Sequence, residues 1–311
     1  MINGRVHFIV GMSRCGITPL SRCLNLHPAA AVFGESRFFG RCYVEPASAD
    51  GYDSAQLNGI ERMLRNFRWT ATVGDELGCL RNLSLEDMHD LIADTFGRLE
   101  APIPPGALFT LLAERIADAE GKHYAFEKTP HHLNMLGRIV TYVPDAHFVV
   151  LLCEPYAFCR FHREWDASYH PLGMALLWRG YMRAYERAAQ RYADRIVVID
   201  TAGLAHEGAA TLERVQRFFG LELHDLAAPL APLSVFFERP DETDAADIFW
   251  INLICRRLMR RHGYYRRPTP RLPRPVLLSL VSFPRWCLHG LGWGRRSRLA
   301  TTWYLLRWLR P

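Results

Sequence analysis

The residues best suited to chemistry lie in a short loop that follows the first apolar run of the chain. Residues 6–10 are typical of a buried strand, and this run ends at Gly11. Gly16 and Thr18 then complete the spacing of the phosphate-binding motif G-x-x-x-x-G-K-[ST], except that Ile17 replaces the lysine. Such a loop points successive backbone N–H groups into one concavity, and the next helix adds the positive end of its dipole. The pattern predicts a loop that holds a phosphate group but does not cleave ATP or GTP.

Arg14 is the only cation inside this loop, so we expect it to take over the role of the missing lysine. Thr18 is predicted to cap the following helix, and Pro19 to occupy its first position. An ordinary strand–turn–helix with two glycines would show the same pattern, and the loop by itself does not decide between the two.

The composition is that of a folded protein. The chain has 311 residues, of which 49% are apolar, and this is enough for one large α/β domain or two small ones. Its eight cysteines include no C-x-x-C pair, so neither a disulfide framework nor a zinc site is predicted. With no signal-peptide pattern at the N-terminus, we expect a reduced, cytoplasmic setting.

The charge is distributed unevenly along the chain. Residues 256–311 contain 14 arginines and no Asp or Glu, so the net charge of +6 comes from this C-terminal part. Arginine dominates throughout, and the only lysines are Lys122 and Lys128.

Apolar runs that predict strands alternate with helical patterns. The strand candidates are residues 6–10, 30–33, 147–152, 195–199 and a shorter run at 124–126. Helical patterns lie near residues 85–99, 107–119, 131–142, 172–192 and 209–219. This alternation predicts an α/β fold, a P-loop-like parallel β-sheet flanked by helices on both faces.

The loops that follow the strands are expected to meet. Residues 11–18, 34–36, 127–129 and 153–156 each follow a strand candidate, and ligands of such sheets bind at the carboxyl ends of strands. We therefore expect these four segments to converge on one crevice. Residues 40–80 look irregular and are predicted to form a lid or substrate loop.

The chain divides into two parts by composition. Residues 1–265 form the predicted α/β domain, and residues 266–275 read as an extended linker rich in Pro and Arg. The remaining residues to 311 form a basic, helical C-terminal extension.

Four segments of the chain form one pattern. In chain order they are FIVGMSRCGITPLSRCLNLHP (8–28), VFGESRFF (32–39), FEKTPHHL with PDAHFVVLL (126–133 and 144–152), and ATLERVQRFFGL (210–221). Together they resemble the bacterial members of the PAPS-dependent sulfotransferase family. The resemblance extends over residues 5–225. It implies in-line transfer of a sulfuryl group from 3′-phosphoadenosine 5′-phosphosulfate (PAPS) to a hydroxyl or amine. The acceptor would be a small molecule, a glycan or a lipid-linked compound, and no metal is needed.

The resemblance also implies roles for particular residues. Glu35 occupies the place of the catalytic base, Lys128 faces the reacting sulfonate, and Arg14 contacts the sulfonate or the 5′-phosphate. His27, His131 and His132 are weaker candidates for the base. The 5′-phosphosulfate would be held by the whole loop: Gly11, Met12, Ser13, Arg14, Cys15, Gly16, Ile17 and Thr18.

The site for the 3′-phosphate departs from the family pattern. Where the family has an arginine, with a serine eight positions later, this chain has Cys153 and Phe161. Arg160 is the predicted replacement, with Arg163 as the alternative, while Glu154 is expected to hold the loop geometry. The departure leaves open a second hypothesis, a diverged, non-catalytic binding protein that no longer uses PAPS. A nucleotide kinase or NTPase is disfavoured by Ile17.

The C-terminal extension suggests a partner. Residues 276–293 are apolar but contain Arg285, His289 and Pro284, which makes a poor transmembrane helix. Residues 295–310 mix arginines with Trp and Leu, a pattern that suits the surface of an anionic membrane. The alternatives are a docked helix with solvated arginines and, less favoured, nucleic-acid binding. The prediction is a cytoplasmic protein, with peripheral membrane binding as one option.

Overall fold

Five short apolar runs form one parallel sheet in the computed structural model. The structure describes residues 4–40, 42–65, 80, 82–165, 169–238, 243–264, 266–270 and 274–292. The strands are β1 (Val6–Gly11), β2 (Ala30–Gly34), β3 (Tyr124–Lys128), β4 (Phe148–Leu152) and β5 (Ile196–Asp200). Their order in the sheet is β2-β3-β1-β4-β5, and all neighbours are parallel. All five predicted strands are confirmed, including the short one, and so is the α/β class.

The register of the sheet places the ends of β2 and β3 side by side. Gly34 is opposite Lys128, and Phe33 is opposite Glu127. On the other side of the sheet centre, Gly11 is opposite Leu151 of β4. The loops after β1, β2 and β3 therefore leave the sheet at one edge, as the sequence predicts.

Thirteen α-helices connect and cover the strands within the described residues. They are α1 (Ile17–Asn25), α2 (Ser54–Arg65), α3 (Leu85–Gly97), α4 (Pro105–Ala119), α5 (Leu136–Tyr142), α6 (Pro155–Trp165), α7 (Pro171–Tyr192), α8 (Thr201–His206), α9 (Gly208–Phe219), α10 (Ala231–Glu238), α11 (Ala245–Ile254), α12 (Arg256–Arg261) and α13 (Arg274–Gly292). The helices predicted near 85–99, 107–119, 172–192 and 209–219 are confirmed to within two residues.

Two local predictions were correct only in part. The irregular region predicted at 40–80 contains the helix α2, which buries Leu57, Ile60 and Leu64 at helical spacing. Residues 66–79 of that region lie outside the described residues. The helix predicted at 131–142 begins as a 3₁₀ segment, Pro130–Met135, and becomes α-helical only at Leu136.

The core on one side of β1 is a cluster of aromatic rings. Phe109 of α4 stacks on Phe8 with ring centroids 5.4 Å apart and meets Phe39 edge-on at 4.9 Å. Phe148 of β4 stacks on the same Phe8 ring. These rings are fully buried and fix the segment after β2, which carries Glu35, against the sheet.

The described part of the C-terminal extension packs on the α/β domain. The indole N–H of Trp250 on α11 donates to Ser279 of α13 at 2.8 Å, and the Trp286 ring lies against Gly173 of α7. None of the helices within the described residues is long and apolar enough to span a membrane.

Candidate functional site

The loop after β1 adopts a backbone path that requires its glycines. A Cβ on Gly11 would lie 2.1 Å from the carbonyl oxygen of Leu151, because β1 and β4 approach closely there. Arg14 and Gly16 have positive φ angles of 65° and 90°. A residue with positive φ among ordinary ones turns successive N–H groups into a shared concavity, so this segment has the form of an anion nest.

The N–H groups of this concavity are not used by the protein. Within the described residues, no protein acceptor takes a hydrogen bond from the backbone N–H groups of residues 14–18. The N-cap of α1 is Gly16, which has no side chain to cap the helix. The predictions that Thr18 caps α1 and that Pro19 begins it were wrong, because the left-handed Gly16 starts the helix two residues earlier. The start of α1 thus leaves free donors and a positive dipole end beside the loop.

The loop is held in place from below. The hydroxyl of Thr201, at the start of α8, donates to the carbonyl oxygens of Cys15 and Leu152 at 3.0 and 2.8 Å. The N–H of Met12 donates to Leu151 at 3.0 Å. Met12, Cys15 and Ile17 are buried, so these predicted ligands could offer an anion only their backbone.

The two polar loop side chains Ser13 and Arg14 have different environments. Arg14 is exposed, and within the described residues its guanidinium makes no hydrogen bond or ion pair. Ser13 instead shares a hydrogen bond with Tyr181 of α7 at 3.1 Å. Arg14 therefore remains available to a ligand, while Ser13 anchors the loop to a helix.

Glu35 and Lys128 meet at the edge of the sheet. The ammonium Nζ of Lys128 lies 3.5 Å from Glu35 Oε1, and Arg37 Nη2 lies 3.1 Å from Oε2. Lys128 is largely buried, whereas the Glu35 side chain is about one quarter exposed. A Cβ on Gly34 would lie 2.4 Å from the Lys128 carbonyl oxygen, so glycine permits this close approach.

A buried carboxylate fixes the two segments that carry this pair. Glu127 is completely buried, and its Oε1 accepts hydrogen bonds from the N–H and hydroxyl of Ser36 at 3.0 and 2.8 Å and from Thr129 at 2.5 Å. Its Oε2 lies 2.9 Å from Nδ1 of His132. Ser36 follows Glu35, and Glu127 precedes Lys128. The Glu127 side chain therefore ties the segment that carries Glu35 to the end of the strand that carries Lys128.

The hydrogen bonds of Glu127 keep it ionised. Burial alone would raise the pKa of Glu127, but the imidazole of His132 and the hydroxyls of Thr129 and Ser36 hold this pKa below its ordinary value. Glu127 is thus a fixed negative charge inside the fold and not a proton carrier.

A second network links the 11–18 loop to the residues after β3. The Tyr181 hydroxyl, bonded to Ser13, also lies 3.1 Å from Nδ1 of His131, and the two rings are stacked. His131 is exposed, so its ring can be reached from solvent. The networks of Glu127 and Tyr181 together hold the loop, Glu35 and Lys128 as one site.

The end of β4 offers a different surface. Cys153 is fully buried beside the thiol of Cys15, and its carbonyl oxygen accepts from the indole of Trp178 at 2.8 Å. Phe161 packs on Phe237 of α10 with ring centroids 5.9 Å apart. Burial raises the pKa of the Cys153 thiol, so this position carries no charge.

The arginines near this strand end differ in their partners. Arg163 pairs with Asp247 at 2.6 Å and with Asp244 at 3.4 Å, which commits it to α11 and its N-cap. Arg160 is partly buried on α6, and with Arg267 it acts electrostatically on Glu154. Glu154 accepts a hydrogen bond from the N–H of Ala157 at 2.6 Å, so it caps the start of α6 and holds the loop geometry.

Comparison with known proteins identifies the family. A model of the Sulfotransferase family matches residues 7–225, more than two thirds of the chain. The chain belongs to the sulfotransferase family. No curated protein matches it significantly.

Solved structures that match this chain are distant in sequence. The sulfotransferase domain from the Synechococcus PCC 7002 olefin synthase is 17% identical, with a TM-score of 0.49, covering 91% of this chain and 96% of that one. The sulfotransferase domain from the curacin biosynthetic pathway is 13% identical, with a TM-score of 0.49 and coverage of 90% and 97%. Sulfotransferase STF9 from Mycobacterium avium is 14% identical, with a TM-score of 0.47 and coverage of 86% and 79%.

Not every residue predicted for the site lies there. The structure brings Glu35, Lys128 and His131 together, but His27 is buried elsewhere, with its Nε2 2.9 Å from the Glu222 carbonyl oxygen. His132 contacts Glu127, so it supports the site without being open to a ligand.

Sequence reasoning missed Arg37, Glu127 and Tyr181. A signal existed for Glu127, because an acidic residue inside an otherwise buried strand needs partners. No sequence signal distinguishes Tyr181 from other aromatic residues of α7.

Proposed function

We propose that the chain transfers a sulfuryl group from PAPS to an acceptor hydroxyl or amine by direct in-line displacement. The observation that carries this proposal is the contact of Glu35 with Lys128, 3.5 Å apart, at the edge where the 11–18 loop also leaves the sheet. Family membership supports sulfuryl transfer in general, and the donor, acceptor and residue roles are our proposal.

The residues present fit one end of PAPS well. The free N–H groups of residues 14–18, the dipole of α1 and the exposed Arg14 would hold the 5′-phosphosulfate. PAPS supplies the sulfuryl group and leaves as 3′-phosphoadenosine 5′-phosphate (PAP). At the 3′ end, Cys153 and Phe161 offer no charge, so Arg160 is the remaining candidate on α6.

Glu35 would act as the general base. Its carboxylate is partly exposed, so an acceptor can reach it, and a base at this point takes the proton of the attacking hydroxyl. Lys128 and Arg37, one at each oxygen, fix its orientation. A base held in one direction removes the acceptor proton without first losing side-chain freedom.

Lys128 and Arg14 would stabilise the charge that moves during transfer. The Lys128 ammonium lies in a largely buried position, where a cation interacts with a developing negative charge more strongly than in water. Arg14 would neutralise the phosphate from the opposite, exposed side of the loop.

A second candidate function is favoured by one observation. The apolar contacts of Phe161 and Phe237 and the buried Cys153 resemble core packing more than a phosphate site. They favour a diverged sulfotransferase-like protein that binds another anion through the loop and no longer uses PAPS.

Thermal unfolding with nucleotides separates the two. A ligand at 100 times its Kd stabilises the native state by about 2.7 kcal/mol. We expect PAP to raise Tm, ATP not to raise it, and Arg14→Ala to reduce the PAP effect while Arg22→Ala on α1 leaves it intact. No response to PAP would support the second candidate, and a rise of Tm with ATP but not with PAP would contradict the proposed use of PAPS.

A further inference from the structure

The outer face of α13 presents a group of aliphatic side chains to solvent. Leu277, Leu278, Leu280 and Val281 are between 49% and 81% exposed. Residues three and four positions apart are neighbours on a helix surface, so Leu277 adjoins Leu280 and Val281, and Leu278 adjoins Val281. Single exposed leucines are ordinary on protein surfaces, but a contiguous apolar patch marks an interaction site.

The inner face of the same helix is fixed to the domain. Val276 is buried, and the hydroxyl of Ser279 accepts from the indole of Trp250 at 2.8 Å. Nε2 of His170 on α7 lies 3.0 Å from the Ser279 carbonyl oxygen. These contacts prevent α13 from rolling, so the four aliphatic residues stay outside.

Arginines without acidic partners lie on α7, the helix that α13 packs against. Arg179, Arg183 and Arg187 follow one another at four-residue spacing, and within the described residues none of them forms an ion pair. Burial and then the charges of Arg179 and Arg187 lower the pKa of Arg183. The nearby Glu186 forms its ion pair with Arg261, and its charge only opposes the lowering of the Arg183 pKa.

Helix α12 extends this positive charge. Arg256, Arg257 and Arg260 are exposed on α12, and Arg261 of the same helix pairs with Glu186 of α7 at 2.6 Å. Helices α12 and α13 thus both contact α7. In the chain as a whole, residues 256–311 contain 14 arginines and no acidic residue.

We propose that the outer face of α13, together with the arginines of α7 and α12, docks on an anionic membrane surface. Aliphatic side chains enter the boundary between lipid headgroups and acyl chains, while arginines pair with lipid phosphates. Nucleic acid or an anionic glycan would engage the arginines but leave the aliphatic face uncovered. A second copy of the chain would cover the aliphatic face, but its own arginines would repel those of the first.

Co-sedimentation of the full chain with lipid vesicles tests the proposal. We expect binding to phosphatidylcholine vesicles that contain phosphatidylglycerol, release at high salt and no binding to phosphatidylcholine alone. The double variant Leu278→Glu/Val281→Glu should bind at least about tenfold more weakly. The matched control is Leu223→Glu, a half-exposed leucine outside α13, which should bind like wild type.

Charge-reversal variants and a measurement of the oligomeric state complete the test. Arg183→Glu/Arg187→Glu should also weaken vesicle binding, with an unchanged circular dichroism spectrum. Equal binding by Leu278→Glu/Val281→Glu and wild type would overturn the proposal, as would equal binding to neutral vesicles. Retention on heparin without vesicle binding would overturn it in favour of a soluble polyanion. A dimer that the double variant dissociates, again without vesicle binding, would overturn it in favour of a second copy.

Discussion

The two halves of the sheet's carboxyl edge have opposite character. At the ends of β1, β2 and β3, charged and polar groups lie at the same edge of the sheet: Glu35 contacts Lys128, and the 11–18 loop has free N–H groups. At the end of β4, Cys153 is buried and neutral, and Phe161 packs on another ring. The same parallel sheet therefore supports the candidate site on one side and ordinary core packing on the other.

This difference separates chemistry from nucleotide recognition. In the proposed reaction, proton removal and charge stabilisation would use only groups of the β1–β3 half, which Glu127 and Tyr181 hold in place. Recognition of a 3′-phosphate needs cations that the β4 end does not supply from the strand itself. Variants on the two sides should therefore affect different measurements.

The largest effect is expected at Glu35. Because Glu35 would take the acceptor proton, Glu35→Gln should lower kcat for transfer from PAPS by about 10³-fold. The rise of Tm with PAP should remain, since Gln keeps the shape of the side chain. The control is Glu45→Gln, an exposed residue ten positions later. Full activity of Glu35→Gln would show that Glu35 is not the base, which would contradict the proposed role of the β1–β3 half.

The second largest effect on kcat is expected at Lys128, and the only other lysine, Lys122, should not share it. Lys128→Met removes a buried cation next to the base and should lower kcat by about 10²-fold. Lys122 donates to the carbonyl oxygens of Asn25 and Ala30, so Lys122→Met should lower Tm and leave kcat nearly unchanged. Similar kcat values for the two variants would contradict the assignment.

At Glu127 we expect an effect on the free energy of unfolding and on its dependence on pH. Glu127→Gln leaves His132 and buried donors without a carboxylate and should cost about 3 kcal/mol in the free energy of unfolding. Because the folded-state pKa of Glu127 lies below the unfolded value, its contribution is complete above the unfolded pKa. As pH falls through the folded pKa, that contribution is lost.

Chemical denaturation of wild type and Glu127→Gln at several pH values measures this linkage. The difference in the free energy of unfolding between wild type and Glu127→Gln should be constant near neutral pH and should become smaller in acid. A difference that grows on acidification would show that Glu127 is protonated in the native state, which would contradict the ionised state that its hydrogen bonds imply.

The smallest effect on ligand binding is expected at Cys153. A buried, neutral thiol offers a phosphate no charge, so Cys153→Ala should change the Kd for PAP by less than about twofold. Calorimetric titration provides the measurement, with Arg160→Ala as the contrasting variant on α6. A large loss of PAP affinity in Cys153→Ala would break the distinction between the two halves.

The sequence predicts the scaffold and part of the site for physical reasons. Near-continuous apolar runs mark buried parallel strands, and the carboxyl ends of such strands share an edge, so Glu35 and Lys128 could be placed together. The Glu127 network was not predictable, since its donors reach it only through the register of β2 on β3. The packing of α13 on the domain was not predictable either, because no sequence pattern at Trp250 or Gly173 indicates their contacts with α13.

The most direct test of the account is the structure of the complex with PAP. We predict that the 5′-phosphate lies about 3 Å from the backbone nitrogens of residues 14–18, with Arg14 in contact and no contact from Cys153. A 5′-phosphate bound outside this loop, or a 3′-phosphate in contact with Cys153, would contradict the division of the site between the two halves of the sheet.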